Sequence, residues 1–298
     1  MKTLLLLSSW ILASVAGQAQ QDPLYALYLN NPFVLNPAYA GINDRLNMNI
    51  QDRSQWSAIQ GHPETYNFNA NMSLVQNKVG VGLIALQDKL GENKTNEIEM
   101  AYSYKIDFRK SVLSFGLQAG MMTFSNNNSL LNFQQTGDPS FNAYNISRFN
   151  TGAGVVLKSD RYMLGFSVPR LLPVILHQGV SSILVYQRTY YLLASYVFDL
   201  NERVGLRPAV LFRTTDRLQN AVDLNLNLQI EDFYSVGVFT RDFNTYGFLL
   251  QLIVKNYKLA YAMEVPGSKS AIPYTTNEIM FGISLRALSF HKNSFTVF

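Results

Sequence analysis

Apolar and polar residues alternate with a period of two along most of the chain. In Glu97–Phe108 one parity carries Ile98, Met100, Tyr102, Tyr104, Ile106 and Phe108, and the other Glu97, Glu99, Ala101, Ser103, Lys105 and Asp107. A β-strand projects these sets onto opposite faces, one greasy and one polar. Val222, Leu224, Leu226, Leu228 and Ile230 interleave in the same way with Asp223, Asn225, Asn227 and Gln229. So do Tyr66, Phe68, Ala70, Met72 and Leu74 with Asn67, Asn69, Asn71 and Ser73, and Leu46, Met48 and Ile50 with Asn47, Asn49 and Gln51. Near the end, Ile279, Phe281, Ile283 and Leu285 alternate with Glu278, Gly282, Ser284 and Arg286. Weaker copies fall at 79–87, 113–124, 151–158, 162–168, 189–200, 204–213, 234–241, 246–255 and 257–265. That makes about fourteen segments of roughly 7–13 residues, close to the ~9–11 that a tilted membrane strand needs. No helical period longer than a turn or two competes.

A soluble sandwich also alternates, but its strands average about 5–6 residues and its outer faces are rich in Lys and Glu. Here Asn, Gln, Ser and Gly dominate the polar parity, which suits a hydrated lumen. Composition agrees: charged residues are 15% of the chain, against about 25% in ordinary soluble domains. Mean hydropathy is only +0.01, because lipid-facing and lumen-facing residues cancel. Aromatics at segment ends, such as Tyr66, Tyr102, Tyr104, Phe108, Tyr190, Tyr196, Phe198, Tyr257 and Tyr261, fit interfacial girdles. Within lipid, every backbone N–H and C=O must be paired, which a closed sheet achieves. The expected fold is all-β: a transmembrane antiparallel up-and-down β-barrel of about 14 strands over residues 46–290. Short turns at Ser159-Asp160, Asn201-Glu202 and Glu231-Asp232 are expected on one side. Longer connections are expected at Asp88–Asn93, Asn126–Asn150, Arg170–Arg188 and Gly267–Thr276.

The N-terminus reads as an export address. Lys2 precedes an apolar run, Leu4–Val15, with small residues Gly17 and Ala19 at the positions a signal peptidase reads. Residues 1–19 are expected to be removed, residues 20–45 to form an N-terminal periplasmic or plug segment, and residues 291–298 to be a tail or the end of the last strand. The implied location is the outer membrane of a Gram-negative bacterium, with outer-membrane lipid as solvent.

Little in the chain points to chemistry. With no cysteine, disulfides, thiolate metal sites and cysteine nucleophiles are excluded. The net charge of +4 comes without a Lys/Arg cluster, so a nucleic-acid surface has no support. His62, His177 and His291 have no ligand-like neighbours at metal spacing, and no Gly-x-Ser-x-Gly elbow or phosphate loop occurs. No catalytic residue, metal ligand or cofactor is expected. A Ser/His hydrolase would rest on His62 and His177 alone. Asn36-Pro37-Ala38-Tyr39-Ala40-Gly41 is different: Pro32 and Pro37 forbid central-strand pairing there. It reads as a turn into the first strand, or as a segment tucked into the barrel. The 170–188 connection is unusually apolar, with Leu171, Leu172, Val174, Ile175 and Leu176 in its first half. It reads as a partner-binding surface, or as chain packed into the barrel mouth or into a strand.

Several blocks in order give the chain a resemblance to the PorP/SprF family of type IX secretion system outer-membrane proteins of Bacteroidetes. They are Asp22-Pro23, the block Asn36, Pro37, Ala38, Tyr39, Ala40 and Gly41, and then Arg53, Gln55 and Trp56 in Arg53-Ser54-Gln55-Trp56. Gly61-His62-Pro63-Glu64-Thr65, Val79-Gly80-Val81-Gly82, Gly137-Asp138-Pro139 and Val168-Pro169 follow. Tyr196–Leu200, Val222–Asn225 and Asn277-Glu278-Ile279-Met280 complete the series. Asn277 stands where much of the family has His, and the chain runs on past Arg286 to Phe298. The resemblance implies a non-enzymatic barrel that assists secretion or surface anchoring of particular type IX cargo, such as adhesins and proteins with type B sorting domains, with a role in gliding motility. It also implies association with a periplasmic peptidoglycan-associated lipoprotein. The alternative from the residues is a passive porin or solute transporter with an Asn- and Ser-lined lumen.

Overall fold

The computed structural model describes residues 24–75, 77–126, 143–178, 181–216, 220–231, 233–268, 270 and 272–286. The expected signal peptide, His291 and the tail lie outside these residues. Along the chain run β1 (Arg45–Ser54), β2 (Glu64–Leu74), β3 (Val79–Leu90), β4 (Asn93–Asp107), β5 (Val112–Asn126), β6 (Tyr144–Lys158) and β7 (Tyr162–Val168). A separate hairpin follows, β8 (Val174–Gln178) with β9 (Ser181–Tyr186). Then come β10 (Thr189–Tyr196) with its continuation β11 (Phe198–Asp199), β12 (Val204–Thr215), β13 (Ala221–Ile230), β14 (Tyr234–Arg241), β15 (Thr245–Val254), β16 (Tyr257–Pro266) and β17 (Thr276–Arg286).

With β10 and β11 counted as one, fourteen strands form a closed antiparallel barrel. Each strand pairs with its neighbour in the chain, β7 with β10 and β10 with β12, and β1 closes on β17 from Arg45↔Arg286 to Ser54↔Asn277. Closure leaves no edge, the condition lipid imposes. Every alternating segment of the sequence lies on one of these fourteen strands.

The pleat sorts the two parities as expected. Ile98 and Met100 face outward at 59% and 70% exposure, while Glu99 between them is 3% exposed. Outward-facing aromatics gather toward both ends: Tyr104, Tyr162, Tyr196, Phe198, Tyr234 and Tyr257 at one, and Tyr66, Phe243, Tyr246 and Tyr274 at the other. Such bands suit the two faces of a bilayer.

The long connections all lie at one end. At the end where β1 begins and β17 finishes, the turns are 75–78, 108–111, 159–161, 200–203, 231–233 and 255–256. Ser159-Asp160, Asn201-Glu202 and the β13–β14 turn therefore share one end, as expected. The opposite end carries the long connections 55–63, 127–143, 169–188 and 267–275 together with the shorter 91–92, 216–220 and 242–244. One expectation is corrected: Asp88–Asn93 is no long loop. β3 and β4 stay paired to Leu90↔Asn93, and Gly91, at φ +57, reverses the chain with Glu92 alone. The polar run there marks strands extending past the apolar band, not irregular chain. The 170–188 connection likewise contains the β8–β9 hairpin rather than a structureless loop.

Candidate functional site

The lumen is not an open, hydrated channel at the level of the first residues described. Tyr25–Leu29 and much of Phe33–Gly41 are buried, with Leu27, Ala38 and Ala40 at 0% exposure. Two 3-10 turns, Pro32–Val34 and Pro37–Tyr39, fold this segment compactly. Each has Pro in its first turn, where a missing N–H costs nothing. Tyr28, Leu29, Phe33, Leu35 and Tyr39 pack against inward-facing Ile84, Val156, Met163, Tyr191, Leu193 and Leu211. Ala26 and Leu27 pack against Phe239, Leu249, Ala260, Ala262 and Met280 on the opposite wall. Of the two readings of the Asn36–Gly41 block, the geometry is that of chain tucked into the barrel.

The wall's small polar side chains satisfy the segment's backbone, as buried backbone groups require. Ser167, Ser103 and Ser114 donate from Oγ to the carbonyls of Leu35, Ala40 and Ala38, each at 2.7 Å. Asn71 Oδ1 accepts from Gly41 N–H at 3.2 Å, and Lys105 Nζ donates to Gly41 O. Asn36 is used completely: Oδ1 accepts from Ala38 N–H at 2.9 Å and Nδ2 donates to Val155 O and Phe166 O, both at 3.2 Å. Glycines let the wall come this close. A Cβ on Gly116 would sit 2.1 Å from Ala38 N, and Gly41 itself has φ +56 against Met72 O.

A buried charge network locks the segment at the β1–β17 seam. Glu278 accepts from the backbone N–H of Ala26 at 2.7 Å and of Leu27 at 3.0 Å, from Gln51 Nε2 at 2.6 Å and from Arg53 Nη1 at 2.9 Å. Arg53 also grips Glu264, at 2.8 and 3.1 Å. Glu264 accepts from Arg241 at 3.2 Å, and Arg241 pairs with Asp223 at 2.9 Å. Three carboxylates thus meet two guanidinium groups, and the two backbone N–H groups meet part of the negative excess. Buried charges persist only when paired in this way.

The long-loop end adds a second closure. Arg170 donates to Glu97 at 2.6–3.0 Å and lies 5.4 Å over the Tyr186 ring. Leu171 N–H donates to Thr151 O at 2.7 Å, and Asn150 bonds both the N–H and the carbonyl of Leu172. Gln118 Nε2 holds Pro169 O at 2.9 Å. Residues 169–172 therefore fold inward, and Pro169 and Arg170 share a small enclosed space with Tyr25 and Leu35.

The expected site residues separate accordingly. Asn36, Pro37, Ala38, Tyr39 and Gly41 form the lumen segment. Arg53 is at the centre of the charge network, whereas Gln55 and Trp56 leave the strand, Trp56 at φ +55 with its N–H to Thr276 Oγ1. In the apolar connection Val174 is buried against Met122, Phe124 and Tyr186, while Leu172 and Ile175 are exposed; Leu171 is half-buried, and Leu176 lies on β8. Sequence reasoning missed Glu278, Glu264, Arg241, Asp223, Glu97 and Arg170. A signal was there for most of them: a charge on the inward parity of a membrane strand needs a partner across the lumen.

His62 is half-buried, with Nε2 2.9 Å from Ser54 Oγ, Nδ1 2.9 Å from Ile59 O and Glu64 at 3.6 Å, which pins the β1–β2 loop. No cluster of potential metal ligands occurs among the described residues.

Residues 17–283 match the family described as type IX secretion system membrane protein PorP/SprF. No curated protein sequence matches the chain. Among solved structures, similarity extends to the NanC porin, 11% identical over 80% of this chain and 98% of that one, with a TM-score of 0.40. A mutant of the TodX monoaromatic hydrocarbon channel is 10% identical over 86% and 94%, with a TM-score of 0.48. A Pseudomonas aeruginosa FadL homologue is 12% identical over 80% and 88%, with a TM-score of 0.43.

Proposed function

Since the chain belongs to the PorP/SprF family of type IX secretion system membrane proteins, we propose that it is a plugged, non-enzymatic outer-membrane barrel that helps particular secretion cargo to cross or to stay at the cell surface. One observation carries this reading. The lumen is filled by residues 25–41, whose backbone is bonded to the wall and clamped by Glu278. A porin needs a continuous aqueous path, and a seated segment of this kind removes it. The cargo class is surface adhesins and proteins with type B sorting domains, with gliding as the visible output. A periplasmic peptidoglycan-associated lipoprotein is the partner on the short-turn side. At the other end the hairpin base offers exposed Leu172 and Ile175 beside the tethered 169–172 strap, apolar surface of the kind that marks an interface.

The test is deletion of the gene followed by a surface proteome. The expected result is that bulk type IX secretion continues while one or a few surface proteins disappear; an unchanged surface proteome overturns the cargo role. Purified protein in planar bilayers is expected to be electrically silent. Sustained conductance of the unmodified chain would instead establish the porin alternative.

A further inference from the structure

The lumen is electrically lopsided. In the half nearer the long loops the inward-facing Arg53, Arg170 and Arg241 each meet a carboxylate, while Arg213 joins no ion pair among the described residues. In the half nearer the short turns the inward cations Arg45, Lys105, Lys158, Arg207 and Lys258 bond only to neutral atoms. None of them joins an ion pair among the described residues. The described acids at that end, Asp44, Asp107, Asp160, Asp199, Glu202 and Glu231, all stand on the exposed rim.

Two of these cations border a cavity of about 300 Å³ that lies below the plug and opens toward the short-turn end. Its lining includes Arg45, Asn47, Asn49, Lys255, Asn256, Lys258 and Ser284, and no acidic residue. Arg45 is held in place by Ser284 at 2.7 Å and Asn256 at 3.1 Å through Nε and Nη2, and its Nη1 has no acceptor among the described residues. Lys258 donates to Asn30 O at 2.7 Å, which uses one of its three N–H bonds. A fixed guanidinium fork, an ammonium with free donors and a ring of amides constitute recognition chemistry for a carboxylate or phosphate. The volume is at the lower end for small-ligand sites.

We infer that the cavity between Arg45 and Lys258 binds an anionic group, a phosphate or a carboxylate, presented from the short-turn end. The low-dielectric walls and the surplus of positive charge draw such a group in, and salt screens the attraction. Two sources share this chemistry: a free phosphate-type solute, and a carboxylate-bearing segment of a soluble partner. The inference does not depend on the cargo role.

The test is calorimetric titration of the full mature chain in neutral detergent with inorganic phosphate and, separately, with triglutamate. Saturable, salt-sensitive binding of either probe is expected. Phosphate alone points to the solute, and triglutamate to the partner segment. Arg45→Gln with Lys258→Gln should weaken binding by at least about tenfold, since charge-assisted bonds are lost. Lys158→Gln, across the lumen, should leave it intact. Because Lys258 also holds the plug, Lys255→Glu on the exposed turn serves as the fold-neutral variant and should weaken binding too. Failure of both probes to bind at up to ~10 mM, a concentration at which even feeble sites fill, overturns the inference. So does undiminished binding in both variants.

Discussion

At the scale of single residues, the segment in the lumen is held by few groups, each with a measurable share. Glu278 is the first. Its removal in Glu278→Ala leaves Arg53 with Glu264 alone and strips two buried N–H groups of their acceptor. Breaking one side of a buried pair costs about 3–5 kcal/mol, and the surviving Glu264 contact sets the expectation near the lower figure. The check is the shift in denaturant midpoint in micelles. Asn36→Ala removes a 3-10 cap and two bonds to adjacent strands; the expected loss is about 1–3 kcal/mol, with faster protease cleavage within residues 25–41. Gly116→Leu acts by volume, since even its Cβ would fall 2.1 Å from Ala38 N. That variant should fold as a barrel yet release the segment to protease, a combination that distinguishes steric expulsion from general instability.

At the scale of elements, the strands were legible because period-two alternation reports which face meets lipid, and lipid tolerates few exceptions. Val222–Ile230 and Glu97–Phe108 needed no tertiary knowledge. The β8–β9 hairpin was not legible, because His177, Gln178 and Gly179 interrupt the apolar run and the hairpin pairs only with itself. The lumen segment was only half legible. Pro32 and Pro37 excluded a strand, but nothing local in Asp22–Gly41 shows that Ser103, Ser114 and Ser167, far along the chain, accommodate its carbonyls. The polar parity suits a water-lined wall, yet much of it is packed on protein. Deleting residues 24–41 behind an intact export signal makes the difference measurable. The barrel is expected to assemble, since each strand still finds its neighbours, and planar-bilayer recordings should then show current absent from the unmodified chain.

At the scale of the whole molecule, closure makes the protein behave as one unit. Unheated samples should migrate faster than boiled ones on detergent gels, and the spectrum should be dominated by strand; equal migration would deny a closed barrel. The seam adds something specific. Arg53 on β1 and Glu278 on β17 are direct register partners, and Glu278 reaches the amides of Ala26 and Leu27. Residues from the two ends of the polypeptide therefore meet at one carboxylate, which finds all its ligands only once the last strand has docked on the first without slipping. A shift of one position would turn Glu278 toward lipid and leave the leading segment untethered. Retention of the N-terminal segment through Glu278 is thus coupled to the register in which the barrel closes.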